Sequence, residues 1–72
     1  MLQFSDVTGK SYYDEECVFF RNCIQSARYI EWNAELLDLF TDSQHKLVFV
    51  FSRKDHDRLK YRWGTKENNE VY

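Results

Sequence analysis

Ser11-Tyr12-Tyr13-Asp14-Glu15-Glu16-Cys17-Val18-Phe19-Phe20-Arg21-Asn22-Cys23-Ile24-Gln25-Ser26-Ala27-Arg28-Tyr29-Ile30-Glu31-Trp32 is the stretch that decides the fold, because it carries signals for both kinds of secondary structure. Ser11 with Asp14 three residues on approximates a capping box, and Asp14, Glu15 and Glu16 supply the negative charge that a helix N-terminus favours. At 100° per residue Cys17, Phe20, Cys23, Ile24, Ala27 and Ile30 fall within an arc of about 140°, opposite Arg21, Asn22, Gln25, Ser26 and Arg28. The reading is therefore a helix with an inward apolar stripe, ended near Trp32 by Asn33, a residue that tolerates the left-handed conformation. A strand over part of this stretch is the competing reading. It puts Ser26 and Arg28 on the same side as Ile24, Ile30 and Trp32, which suits only a solvated face.

Outward from this stretch the patterns are shorter. Leu2-Gln3-Phe4-Ser5-Asp6-Val7 alternates apolar and polar for four residues before Thr8-Gly9 and reads as a short strand ending in a turn. Leu36 to Phe40 and Lys46 to Ser52 flank Thr41-Asp42-Ser43-Gln44-His45, two strands around a polar turn. Leu47-Val48-Phe49-Val50-Phe51 has no polar alternate, which places it centrally in a sheet. Ser52 is positioned to cap a second helix that runs to Gly64, with acids early and cations late. The expected fold class is α+β, a single domain over 1–64 in the order β-α-β-β-α. Two helices cover one face of a short antiparallel or mixed sheet, and 65–72 form a flexible tail. About three strands, two of them edges, also make a homodimer an expectation.

Composition narrows the class of function. The 72 residues make one small domain that buries about 60% of its unfolded surface, too little for a multidomain enzyme. Six Phe, five Tyr and two Trp match the number of Leu, Ile and Val combined, so aromatic rings fill the core and some reach the surface. Cys17 and Cys23 are too few for a disulfide scaffold and lack zinc-knuckle spacing, so two reduced thiols on the helix stripe are expected. The longest apolar run, Leu47 to Phe51, falls far short of the ~20 residues a membrane helix needs. A soluble, cytoplasmic protein with no membrane association is the expectation.

Chemistry-bearing residues are sparse. His56 lies between Asp55 and Asp57, but neighbours on a helix diverge by about 100°, so these three make no preformed dyad. His45 falls in a turn. Gly9 and Gly64 stand alone, which leaves no phosphate-cradling loop. No cofactor, no metal and no catalysis are expected.

Charge is divided along the chain. Residues 1–45 carry three basic and eight acidic side chains, and residues 46–66 carry seven basic and two acidic ones. Two binding surfaces follow. Tyr12, Tyr13, Asp14, Glu15 and Glu16 form an acidic and aromatic patch suited to docking on a basic protein, such as one that handles nucleic acid. Their structural alternative is simple satisfaction of a helix dipole. Lys54, Arg58 and Arg62 recur every four residues beside Tyr61, a stripe suited to phosphates and base stacking, or else an ordinary solvated face. The pI of 5.6 favours the first surface. The expectation is a small non-catalytic adaptor or inhibitor of a larger machine, phage- or mobile-element-like in size, with opposite charges sorted onto separate regions. The alternative is a nucleic-acid-binding regulator.

Overall fold

The computed structural model describes residues 1–65; of the tail expected over 65–72, Thr65 belongs to the last helix and the rest lies outside the described residues. Strands β1 (Leu2–Phe4) and β2 (Ser11–Tyr13) form an antiparallel hairpin in the register Leu2↔Tyr13 and Phe4↔Ser11. Its loop is closed by Ser5, whose hydroxyl accepts the amides of Val7 and Thr8, and by Gly9 at φ 73°, a conformation that favours glycine. A 3-10 turn, Asp14–Glu16, then leads into β3 (Cys17–Phe20) and α1 (Cys23–Glu31). The chain ends in β4 (Asp38–Thr41), β5 (Leu47–Ser52) and α2 (Arg53–Thr65). The class is α+β, built on two antiparallel sheets, one of order β1-β2 and one of order β3-β5-β4.

The helix expected from Ser11 begins at Cys23 instead, and two strands occupy its first half, so the observed order is β-β-β-α-β-β-α. The reason lies in Val18 and Phe19. A helix would turn both toward its polar side, whereas pairing with β5 in the register Cys17↔Ser52 to Phe20↔Phe49 sets Val18 and Phe20 on one apolar face and Cys17 on the other. The true helix start is signalled by Asn22, whose side-chain oxygen accepts the amides of Ile24 and Gln25 at 3.0 and 3.1 Å. The end is as expected: Asn33 takes φ 69° directly after α1.

The stripe expected to face inward faces outward. Cys23, Ile24, Ala27 and Ile30 are exposed, while Ser26 and Tyr29 are fully buried. Helix phase is set by the largest ring: Tyr29 packs edge-on to Phe20 at 5.3 Å and against Phe51 at 5.6 Å. Ser26 tolerates burial because its hydroxyl donates to the Asn22 carbonyl at 2.8 Å.

Tyr29 joins Ala34, Phe51 and Leu59 in the main core, with Val18, Phe20, Phe49, Trp32 and Trp63 around them. The sheet residues in that cluster all belong to one face, so α1 and α2 share it. The other face holds a second cluster, Tyr12, Cys17 and Val50, where the β1–β2 hairpin lies against the sheet. The molecule is therefore three layers, helices, sheet and hairpin. The hairpin is fastened by Thr8 Oγ1 donating to the Leu37 carbonyl at 2.7 Å and by Tyr12 Oη donating to Asp38 at 2.6 Å.

The β4–β5 turn is held as its residues suggest. The Asp42 carboxylate accepts the amides of Gln44 and Lys46 at 2.8 and 3.1 Å, and His45 takes φ 62°. Ser52 caps α2 by accepting the Asp55 amide at 3.1 Å. Gly64, expected to stop this helix, is continued through to Thr65.

Candidate protein-binding site

The hairpin covers only part of the sheet face on which it lies. Antiparallel register places Phe19, Val50 and Asp38 in one row across that face and Val48 with Phe40 in the next. Tyr12 shelters Val50, but Phe19 and Phe40 stand beyond the hairpin, 43% and 39% exposed, with ring centroids 6.5 Å apart in an edge-on arrangement. Phe4, 65% exposed on β1, closes the other side of Phe40.

Two adjoining cavities flank Phe40. One, about 300 Å³, is bounded by Phe19, Phe40, Tyr12, Asp14 and Asp38. The other, about 380 Å³, is bounded by Phe4, Asp6, Asp38 and Phe40 among others. Together they make a groove with three phenyl rings and three aspartates. No lysine or arginine lines either cavity among the described residues.

Asp38 sits at the junction of the two, 8% exposed. Burial by itself pushes its carboxyl up, but hydrogen bonds from Ser5, Tyr12 and the Leu39 amide outweigh this and hold it below its ordinary value, so it is ionised near neutral pH. No cation stands at ion-pair distance from it among the described residues. Burial and the adjacent carboxylate push the Tyr12 phenol in the opposite direction, up, and keep it a donor. Asp14 is differently placed. The Met1 ammonium and Gln3 hydrogen-bond to it, and the ammonium holds its carboxyl down to about 2.

The residues expected to form one acidic patch are thus separated. Tyr12 is buried, a strut between hairpin and sheet rather than a surface anchor. Tyr13 is 52% exposed, and Glu15 contacts the Met1 ammonium. Glu15 and Glu16 border a shallow cavity together with Arg53, Lys54 and Asp57. The charge division along the sequence does not persist in space, because pairing Cys17 with Ser52 brings the acidic turn beside the start of α2. Ion pairs Lys10–Glu35, Arg21–Asp42, Arg58–Asp55 and Lys60–Asp57 interleave the signs further.

On α2, Lys54 and Arg58 are exposed, but Arg62 lies over the Trp32 ring at 4.2 Å, and Tyr61 is 71% exposed with Lys60 5.4 Å from its ring. His56 Nδ1 is hydrogen-bonded to Tyr29 Oη at 2.9 Å and its ring packs on Phe20. Burial, then Lys60, pushes it below the ordinary imidazole value. Asp55 meanwhile accepts the Glu35 amide and Asp57 pairs with Lys60, so the Asp-His-Asp string disperses. Cys17 is a buried free thiol that burial pushes up, whereas Cys23, expected to be buried, is free and exposed. No group of three or more metal-ligating side chains occurs among the described residues, and no helix there is long and apolar enough to cross a membrane.

The groove residues Phe4, Asp6, Phe19, Asp38 and Phe40 were not singled out by sequence reasoning. Phe19 lies on a strand and not on the expected helix, and the signal that locates it is the run Cys17-Val18-Phe19-Phe20, bounded by Glu16 and Arg21. Comparison with protein-family models, curated proteins and solved structures returns no match.

Proposed function

We propose that this protein is a small non-catalytic interaction module, an adaptor or inhibitor of a larger machine, that docks on a basic protein through the groove around Phe40. The observation that carries the reading is the groove's make-up: three exposed phenyl rings and three aspartates with no basic side chain among the lining residues. From their exposures the rings offer on the order of 300 Å² of aromatic surface, the size of an interface's central anchor rather than the whole of it. Carboxylates at the rim steer a positive partner and set its orientation. The binding face is acidic and aromatic, and of the acids Asp14, Glu15 and Glu16 it takes in Asp14. A non-catalytic role is supported by His56, whose exposed chemistry is given up to the aromatic core. The free thiols Cys17 and Cys23 suit a reducing compartment such as the cytoplasm.

Nucleic-acid binding by Lys54, Arg58, Tyr61 and Arg62 is the weaker reading, since Asp55 engages Arg58 and Trp32 engages Arg62. Calorimetric titration of the full chain with a basic peptide and with a single-stranded oligonucleotide, at roughly 50 and 200 mM salt, separates the two. The groove reading expects peptide binding that is lost in Phe19→Ala/Phe40→Ala. It is overturned if the peptide is inert while the oligonucleotide binds with steep salt dependence that Arg58→Glu/Arg62→Glu abolishes.

A further inference from the structure

We infer that the groove selects an arginine, its guanidinium seated against Asp38 with its stem laid along Phe19 and Phe40; this rests on the protein-docking reading above. Asp38 is the decisive group. It is a carboxylate more than nine-tenths buried and held ionised by neutral donors alone, with no cation at ion-pair distance among the described residues. Buried charges are as a rule paired. Tyr12 Oη takes one oxygen at 2.6 Å and the Leu39 amide the other at 2.8 Å. The Ser5 hydroxyl hydrogen-bonds to it as well, and because a carboxylate offers about four acceptor positions, room for about one further donor remains.

The surroundings favour guanidinium over ammonium. Guanidinium is planar, weakly hydrated and able to stack on a ring face while donating sideways to a carboxylate, whereas an ammonium is a strongly hydrated point charge that is harder to bring into an apolar cleft. Phe19 and Phe40 pack on each other edge to face, 6.5 Å apart and inclined at 66°, and their outer surfaces line the cavity beside Asp38. Asp14 stands on the same wall but is already engaged by the Met1 ammonium and Gln3, so Asp38 is the charge left for the ligand.

Three short peptides, identical apart from one central arginine, lysine or citrulline, test this by NMR titration of the full chain. Citrulline keeps the shape of arginine and removes its charge. The arginine peptide is expected to shift the resonances of Phe19, Asp38 and Phe40, with the lysine peptide weaker by about three- to ten-fold and citrulline silent. Phe19→Leu/Phe40→Leu keeps apolar bulk without π faces and is expected to weaken arginine binding about five-fold, a readout that holds even where Asp38→Asn fails to fold. Equal binding of lysine or of citrulline at the groove overturns the arginine inference and leaves the docking reading standing. Shifts from no basic peptide, or a self-associated chain in sedimentation whose interface buries Phe19 and Phe40, overturns both.

Discussion

Replacing Tyr12 by Phe deletes one oxygen from the contact that ties hairpin to sheet. That oxygen donates to an ionised, buried Asp38 over 2.6 Å. A hydrogen bond to a charged group contributes about 1.5–3 kcal/mol, and removing the donor leaves a buried carboxylate with one partner fewer, so Tyr12→Phe should destabilise the fold by about 2 kcal/mol at pH 7. In a domain of this size that corresponds to a fall in Tm of about 8–16 °C. The pH dependence is a second check. Folded Asp38 has a carboxyl pKa below its unfolded value, so its contribution is complete above about pH 3.8 and is lost as pH falls through the folded value. Tyr12→Phe raises that folded value, so the gap between variant and parent should be full at pH 7 and shrink in acid. Urea unfolding at pH 7 and pH 3 measures both. In a double-mutant cycle Tyr12→Phe and Asp38→Asn should couple by about 1–3 kcal/mol. A Tyr12→Phe cost under about 0.5 kcal/mol at pH 7, or one unchanged in acid, would refute the strut between the layers.

Asn22→Ala should cost about 1 kcal/mol in urea unfolding by freeing the Ile24 and Gln25 amides. Because burial holds folded His56 below its unfolded value of 6.5, stability should be complete above that pH and decline as pH falls through it, and His56→Gln should flatten this slope in Tm measured from pH 8 to 5. In the native protein Cys23 should be alkylated readily and Cys17 only on unfolding, as mass spectrometry of iodoacetamide-treated protein would show. Tyr29→Ala, which empties the centre of the main core, should cost about 3–5 kcal/mol and leave the chain largely unfolded at 37 °C.

Elements with local punctuation were legible in the sequence. The Asp42 turn, the Ser52 cap, the left-handed Asn33 and the apolar β5 each carry their signal within a few residues. The half-length error over 11–22 arose because the acids of Asp14–Glu16 serve a 3-10 turn and the Met1 ammonium rather than a helix dipole, which only the pairing of β3 with β5 reveals. Helix phase is illegible for a related reason: Ser26 and Tyr29 look amphipathic or polar by type, yet the Tyr29 ring, packed on Phe20 and Phe51 with its hydroxyl satisfied by His56, takes the inward position and leaves Cys23, Ile24, Ala27 and Ile30 outside. The groove was illegible because its residues come from the whole β1–β2 hairpin, the 3-10 turn, β3 and β4, brought together by a hairpin crossing that no local pattern encodes. The expected charge separation fails because β3 pairs with β5, which juxtaposes Glu15 and Glu16 with Arg53 and Lys54.

Intermolecular nuclear Overhauser effects between the ring protons of Phe19 and Phe40 and the δ-methylene of an arginine in a bound basic peptide report directly on where recognition happens. Contacts from both rings to that methylene are expected, with none from Tyr61. Contacts confined to Tyr61 and the α2 surface would contradict recognition at the groove.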